Sequence, residues 1–302
     1  MAIRAVLFLT AYFTWVLAFR LAAVTLLTYV LVAGSQQRPR LEELSEMLTS
    51  SELFIAALGS LSFVVSARML YPITSITWSQ FFNPARFEKR FLPGFLRGSA
   101  LSAGFVAAFI LAGYYRYLGI YIQLDEATLS AFSILFRALS LVVMAYCEEF
   151  IFRQQLADYL RKVMPDAAAI ALTTLAYCVT KSIQFDLGMT QLGTLVLLSV
   201  ALGAKAIIDA DFTRGAGYWA GILFVLQPLL SLPVLGTEFP GILLIKYQAE
   251  NDTGEYSIGR FLTGGVGGPL SSFGIQLFLL VQGIQIIIKY RKIFLNLRPA
   301  PQ

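Results

Sequence analysis

The strongest constraint on this chain is its near-absence of charge over long stretches. Between Ala131 and Ala145 the only ionisable group is Arg137, and comparable runs recur from end to end of the 302 residues. Hydrophobic residues make up 57% and charged residues 14%, against about 25% charged in soluble chains. Long windows show no alternating polar face, which excludes a soluble fold of this size. Since a spanning helix needs roughly 20 apolar residues, the pattern predicts an all-α polytopic membrane protein with about eight transmembrane helices.

The predicted spans are Ala5–Val32, Leu53–Ile76, Leu96–Tyr117, Leu129–Phe152, Asp166–Phe185, Leu192–Ile208, Ala216–Leu235 and Phe273–Ile288. Pro72 interrupts the second, and Pro228 and Pro233 bend or break the seventh. A polar segment, Gln36 to Glu52, separates the first two, and a loop of mixed polarity runs from Gly236 to Pro269. Placing the N-terminus in the cytoplasm gathers Arg86, Lys89, Arg90, Arg97, Arg161, Lys162 and the basic tail Lys289, Arg291, Lys292 and Arg298 on that side. The acidic loop with Asp125 and Glu126 then falls outside. Cytoplasmic loops carry the Lys and Arg excess, so both termini are expected in the cytoplasm. The opening Met1-Ala2-Ile3-Arg4 leads into a long apolar run without a small-residue cleavage site and reads as a retained anchor. No repeat or low-complexity tract is visible.

Composition also limits the chemistry. The chain has no histidine, which removes the commonest general base and the commonest metal ligand. Cys147 and Cys178 fall in or beside apolar segments and read as small buried hydrophobes. Zinc is therefore not supported, and neither a cofactor nor a nucleic-acid partner is expected. The lipid bilayer is.

Tyr146–Cys147–Glu148–Glu149–Phe150–Ile151–Phe152–Arg153 closes the fourth predicted span with two carboxylates and an arginine, close to the cytoplasmic side. Glu149 and Arg153 are four apart and can pair on one helix face. Glu148 projects about 100° away and is left to meet another helix. The alternative is a solvated helix end in the headgroup layer. Arg137, eleven residues before Glu148, either lines a polar cavity with it or pairs with a carbonyl or a lipid phosphate. Arg20, inside the first span, marks a functional site or an interfacial segment. Tyr146, Phe152, Tyr177 and Trp219 read as packing residues. Asn251-Asp252-Thr253 fits a glycosylation sequon.

Glu148-Glu149-x-x-x-Arg153 resembles the first motif of the CAAX prenyl protease and bacteriocin-processing (CPBP, or Abi) family of glutamate intramembrane proteases. The stretch from Leu172 to Lys181 resembles the family's second motif, an aromatic residue followed four on by a histidine. Gly215-Ala216-Gly217-Tyr218-Trp219 and the residues after it resemble the third, a glycine-led entry to a helix with a histidine and then an asparagine. Gly264-Gly265-x-Gly267-x-Pro269 before the last helix is also similar to bacterial members. The resemblance covers about 95 to 288. It implies N-terminal membrane segments with a basic loop over 1–94, a CPBP-like core over 95–292 and a cytoplasmic tail over 293–302.

Carried over position by position, the resemblance gives Glu148 as the base for water and keeps Glu149 and Arg153. The second-motif histidine is replaced by Lys181, the third-motif histidine by Val225 and the asparagine by Leu229. Arg137, Tyr177, Val225 and Leu229 are expected to line the cavity. Valine and leucine cannot donate to an oxyanion, and losing one such donor costs about 10²–10³ in rate. The leading expectation is a catalytically degenerate protein of a prokaryotic cytoplasmic membrane that binds a membrane protein, a peptide or a lipidated partner. In that reading a Glu148–Lys181 ion pair clamps two helices. The rivals are an active endopeptidase that uses Glu148 with Lys181, and a transport or lipid-handling protein.

Overall fold

The computed structural model describes residues 2–34, 41–70, 76–121, 127–248 and 258–295. Among them are eight helices of at least 12 residues. These are α1 (Ala2–Gly34), α2 (Leu41–Met69), α3 (Leu92–Leu111), α4 (Ala127–Glu149), α5 (Asp166–Gln184), α6 (Met189–Asp209), α7 (Thr213–Phe224) and α8 (Phe273–Leu295). Five helical stretches are long and apolar enough to cross a bilayer: Ala2–Val30, Ser51–Met69, Trp78–Leu111, Ala131–Leu160 and Met189–Asp209. Their outward sides carry exposed Leu7, Leu21, Leu26, Phe132, Leu135 and Leu139. Such a surface is stable against hydrocarbon and a liability in water.

The helices outside that group are less apolar or shorter for a reason that bears on the site. Helix α5 buries Thr173, Thr174, Thr180, Lys181 and Gln184, so its hydropathy falls because its inner face is polar. Helix α7 is 12 residues long and passes into a π-helical turn, Val225–Leu229, that contains Pro228. Proline removes a backbone donor and clashes with the preceding turn, and the helix ends there instead of continuing to Leu235.

Three other boundaries differ from the sequence expectation. The second helix starts at Leu41, so most of the polar segment before Glu52 belongs to it, and it stops at Met69. Pro72 and the sequon at Asn251–Thr253 lie outside the described residues. Helix α4 does not end near Phe152: it runs on through a π-helical segment, Phe150–Leu156, into Ala157–Leu160. The acidic motif is thus inside a helical rod and not at its end.

The structure is predominantly helical, as expected, with one small two-stranded sheet added. Helix α3 stops at Leu111, where Gly113 takes φ 81° and Tyr114 N–H reaches back to Phe109 O at 2.9 Å. This is the left-handed glycine termination of a helix. The next residues, Tyr115–Ile120 (β1), pair antiparallel with Leu243–Tyr247 (β2), with an irregularity between Tyr117 and Gly119. The predicted third span and the predicted 236–269 loop each contributed one strand. Alternating Tyr, Leu and Ile fit a pleated surface better than a helix face.

Apolar burial contributes little to helix association in lipid, where tails are as apolar as leucine, and close backbone approach matters more. Gly94 and Gly98 of α3 face Gly217 and Gly221 of α7, both pairs at four-residue spacing. A Cβ on Gly98 would overlap Tyr218 O, and one on Gly217 would overlap Phe91 O. An aromatic series separately ties α1 and α2 to the core. Tyr12 meets Phe63 at 4.9 Å and Phe152 at 5.3 Å between ring centroids, and Phe152 meets Tyr177 at 5.4 Å.

The glycine contact is testable by substitution. Gly217→Ala should lower stability by about 1–3 kcal/mol through overpacking, whereas Gly104→Ala, which meets nothing within 4 Å, should be near neutral. Thermal unfolding in detergent compares them, and equal midpoints would contradict the close approach of α3 and α7.

Candidate functional site

The π-helical segment beginning at Phe150 sits directly after the two acids, and π turns inside α-helices occur frequently at functional sites. Glu148 and Glu149 are fully buried, Lys181 is fully buried, and Arg153 is 4% exposed. That rules out the solvated helix end. Two carboxylates and two cations meet at this site, so its formal charges balance.

Glu148 turns away from Arg153 and meets α5. Lys181 Nζ donates to Glu148 Oε1 at 2.8 Å and lies 2.7 Å from Oε2. The second contact falls outside hydrogen-bond geometry, so charge alone holds Oε2. Nζ also donates to Met144 Sδ at 3.4 Å. The Phe185 ring lies 5.0 Å from the ammonium and the Tyr177 ring 5.7 Å. Carboxylate, thioether and two ring faces therefore surround the ammonium, an arrangement that suits a compact cation in a dry interior.

Arg153 is held differently. Its Nη2 donates to Ser199 Oγ at 2.8 Å, and Ser199 donates to Thr174 Oγ1 at 3.0 Å. Its guanidinium lies 4.7 Å from the Tyr177 ring centre, and Glu149 Oε1 is 3.5 Å from Nη2. Neither oxygen of Glu149 makes a hydrogen bond among the described residues, and neither do Nε and Nη1 of Arg153. A Cβ added at Gly215 would stand 3.4 Å from Glu149 Oε2. The glycine-led start of α7 thus closes over the second acid.

The structure brings together Glu148, Glu149, Arg153, Lys181 and Tyr177. It places the other sequence candidates elsewhere or without polar function. The Arg137 guanidinium sits 4.2 Å over the Phe239 ring, about 16 Å along the helix axis from Glu148 at 1.5 Å per residue. Val225 is buried and Leu229 half-buried, and neither side chain has a donor. Cys147 and Cys178 are free thiols. Met144, Ser199 and Thr174 were not singled out in the sequence, since nothing local distinguishes a helix-facing Ser or Thr from any other. Gln227 was also missed: it is 1% exposed and donates to Thr237 O at 3.2 Å.

Three cavities stand out, of about 330, 500 and 700 Å³, and none is lined by Glu148 or Lys181. Hydrolysis needs a carboxylate that water can reach and a donor aimed at the oxyanion. Here the carboxylate is filled by an ammonium and sealed.

Breaking a buried pair from one side leaves an uncompensated charge, at a cost of about 3–5 kcal/mol. Lys181→Met should therefore destabilise strongly, Glu148→Gln likewise, and the double variant should recover most of the loss. A double-mutant cycle from chemical or thermal unfolding checks this, and additive losses would contradict the pairing. Comparison with protein-family models, with curated proteins and with solved structures finds no match for this chain.

Proposed function

We propose that this chain is a CPBP-like integral protein of a prokaryotic cytoplasmic membrane in which the proteolytic centre has become a structural clamp. It crosses the bilayer about eight times with both termini in the cytoplasm, and it acts by binding a membrane protein, a peptide or a lipidated partner. The observation that carries the non-catalytic part is the sealed contact of Lys181 with both oxygens of Glu148. In the family it resembles, that carboxylate must activate water, and the positions of the oxyanion donors hold Val225 and Leu229 here.

The binding part draws on the cavity of about 500 Å³ between α3, α6, α7 and α8, walled by Leu101, Phe105, Leu198, Leu226 and Phe278. Apolar walls with few polar groups suit a hydrocarbon or peptide side-chain occupant more than a charged one.

The purified protein in liposomes should release no product from a panel of prenylated and unprenylated peptides and transmembrane substrates. Lys181→His should remain inert, because the donors are still missing. Cleavage by wild type that is lost in Glu148→Ala would overturn this reading in favour of an active endopeptidase. Photoreactive lipidated peptides should crosslink to α3 or α8, and crosslinking should fall several-fold in Leu226→Trp, which fills the cavity.

A further inference from the structure

A second polar constellation lies away from the acidic motif, in the cleft of about 330 Å³ between α1, α2 and the end of α5. Its polar wall is Arg20, Glu52 and Gln184, and its apolar wall includes Phe19, Val24 and Ile55. Arg20 Nη2 pairs with Glu52 Oε1 at 2.9 Å, and Nη1 donates to Ile183 O. The two side chains remain 35% and 21% exposed. Gln184 is 5% exposed, and its Oε1 has no partner among the described residues.

Depth along the helices places this cleft. Arg20 stands 16 residues beyond Arg4, about 24 Å at 1.5 Å per residue, against a hydrocarbon core of about 30 Å. Glu52 is one residue into the apolar stretch Ser51–Met69, and Gln184 is the last residue of α5. Glu52 and Gln184 therefore stand at one end of their apolar helices, and Arg20, ten residues before Val30, is at their level through its contacts with Glu52 and Ile183.

The donor and acceptor count narrows the ligand. A guanidinium has five donor hydrogens and a carboxylate about four acceptor positions, so the Arg20–Glu52 contact and the bond to Ile183 leave capacity on both groups. A simple anion would be repelled by Glu52, and a simple cation by Arg20. A molecule carrying both signs matches both groups at once. The unpartnered Gln184 acceptor asks in addition for a hydrogen-bond donor, which a primary ammonium has and a quaternary ammonium lacks. The apolar wall accepts the glycerol and the upper acyl chain.

We infer that this cleft binds a zwitterionic phospholipid with a primary ammonium, of the phosphatidylethanolamine class, its phosphate on Arg20 and its ammonium between Glu52 and Gln184. The site is built by the two N-terminal helices, which lie outside the region of the CPBP resemblance, against the end of α5, and it does not depend on the proposed function.

Native mass spectrometry of the purified chain titrated with matched-chain lipids tests it. Wild type should retain phosphatidylethanolamine about tenfold over phosphatidylcholine and over phosphatidylglycerol, the order expected for one charge-assisted hydrogen bond. Gln184→Leu should abolish the preference over phosphatidylcholine. Glu52→Gln should turn the preference towards phosphatidylglycerol, because the repulsive carboxylate is gone. Should Glu52→Gln not fold, Gln184→Leu alone decides. Equal retention of the lipids by wild type, or an unchanged preference in Gln184→Leu, would overturn the assignment. Displacement of the lipid by soluble glycerophosphoethanolamine would also overturn it, in favour of a water-soluble ligand.

Discussion

Burying a carboxylate and an ammonium in an interior without water costs several kcal/mol for each ion, and only close contact between them offsets it. Glu148 and Lys181 meet that condition at 2.7 to 2.8 Å, and much of the central packing follows from it. The pair fixes the rotation of α4 against α5, because each charge has to face the other. That rotation turns Tyr177 towards both cations and sets Phe152 against Tyr12 of the first helix. The pair also keeps the carboxylate from bulk water: Glu148 is fully buried, with the Lys181 ammonium 2.7 to 2.8 Å from its two oxygens.

Glu149 and Arg153 form a looser arrangement beside it. Their separation of 3.5 Å and their unbonded buried atoms contrast with the tight Glu148 contact. Regular helical geometry would align residues four apart, but the π-helical segment that begins at Phe150 changes the angle between them. Arg153 therefore makes its best hydrogen bond across to Ser199 of α6. One helix thus contributes one closed charge pair and one looser pair, and both cations lie near the Tyr177 ring.

Much of this was legible in the sequence, for identifiable reasons. Long charge-free runs pointed to the five helical stretches that are long and apolar enough to cross a bilayer, because apolar length is a strong signal. The separation of Glu148 from Glu149 and Arg153 was legible because adjacent helix positions diverge by a fixed angle. The two-stranded sheet was not, since Tyr115–Ile120 follows an apolar helix directly and its partner strand lies more than a hundred residues on. The extension of α4 to Leu160 was hidden by the charges themselves, which mark a membrane boundary only when they are solvated. The paired four-residue glycine spacings at Gly94 and Gly98 and at Gly217 and Gly221 were present in the sequence, but only the contact between α3 and α7 shows that they face each other. Arg137 shows the opposite failure: a helix-face count cannot tell whether an aromatic ring such as Phe239 will take the cation.

The most direct test of a sealed and occupied carboxylate is its reactivity towards a hydrophobic carbodiimide, which modifies protonated, accessible carboxyl groups inside membranes. Peptide mass spectrometry would locate adducts in wild type and in Lys181→Met. The clamp predicts no adduct on Glu148 in wild type and a clear one once the lysine is removed. Modification of Glu148 in wild type at the rate of an exposed acid would contradict the clamp and return this residue to the list of working catalytic groups.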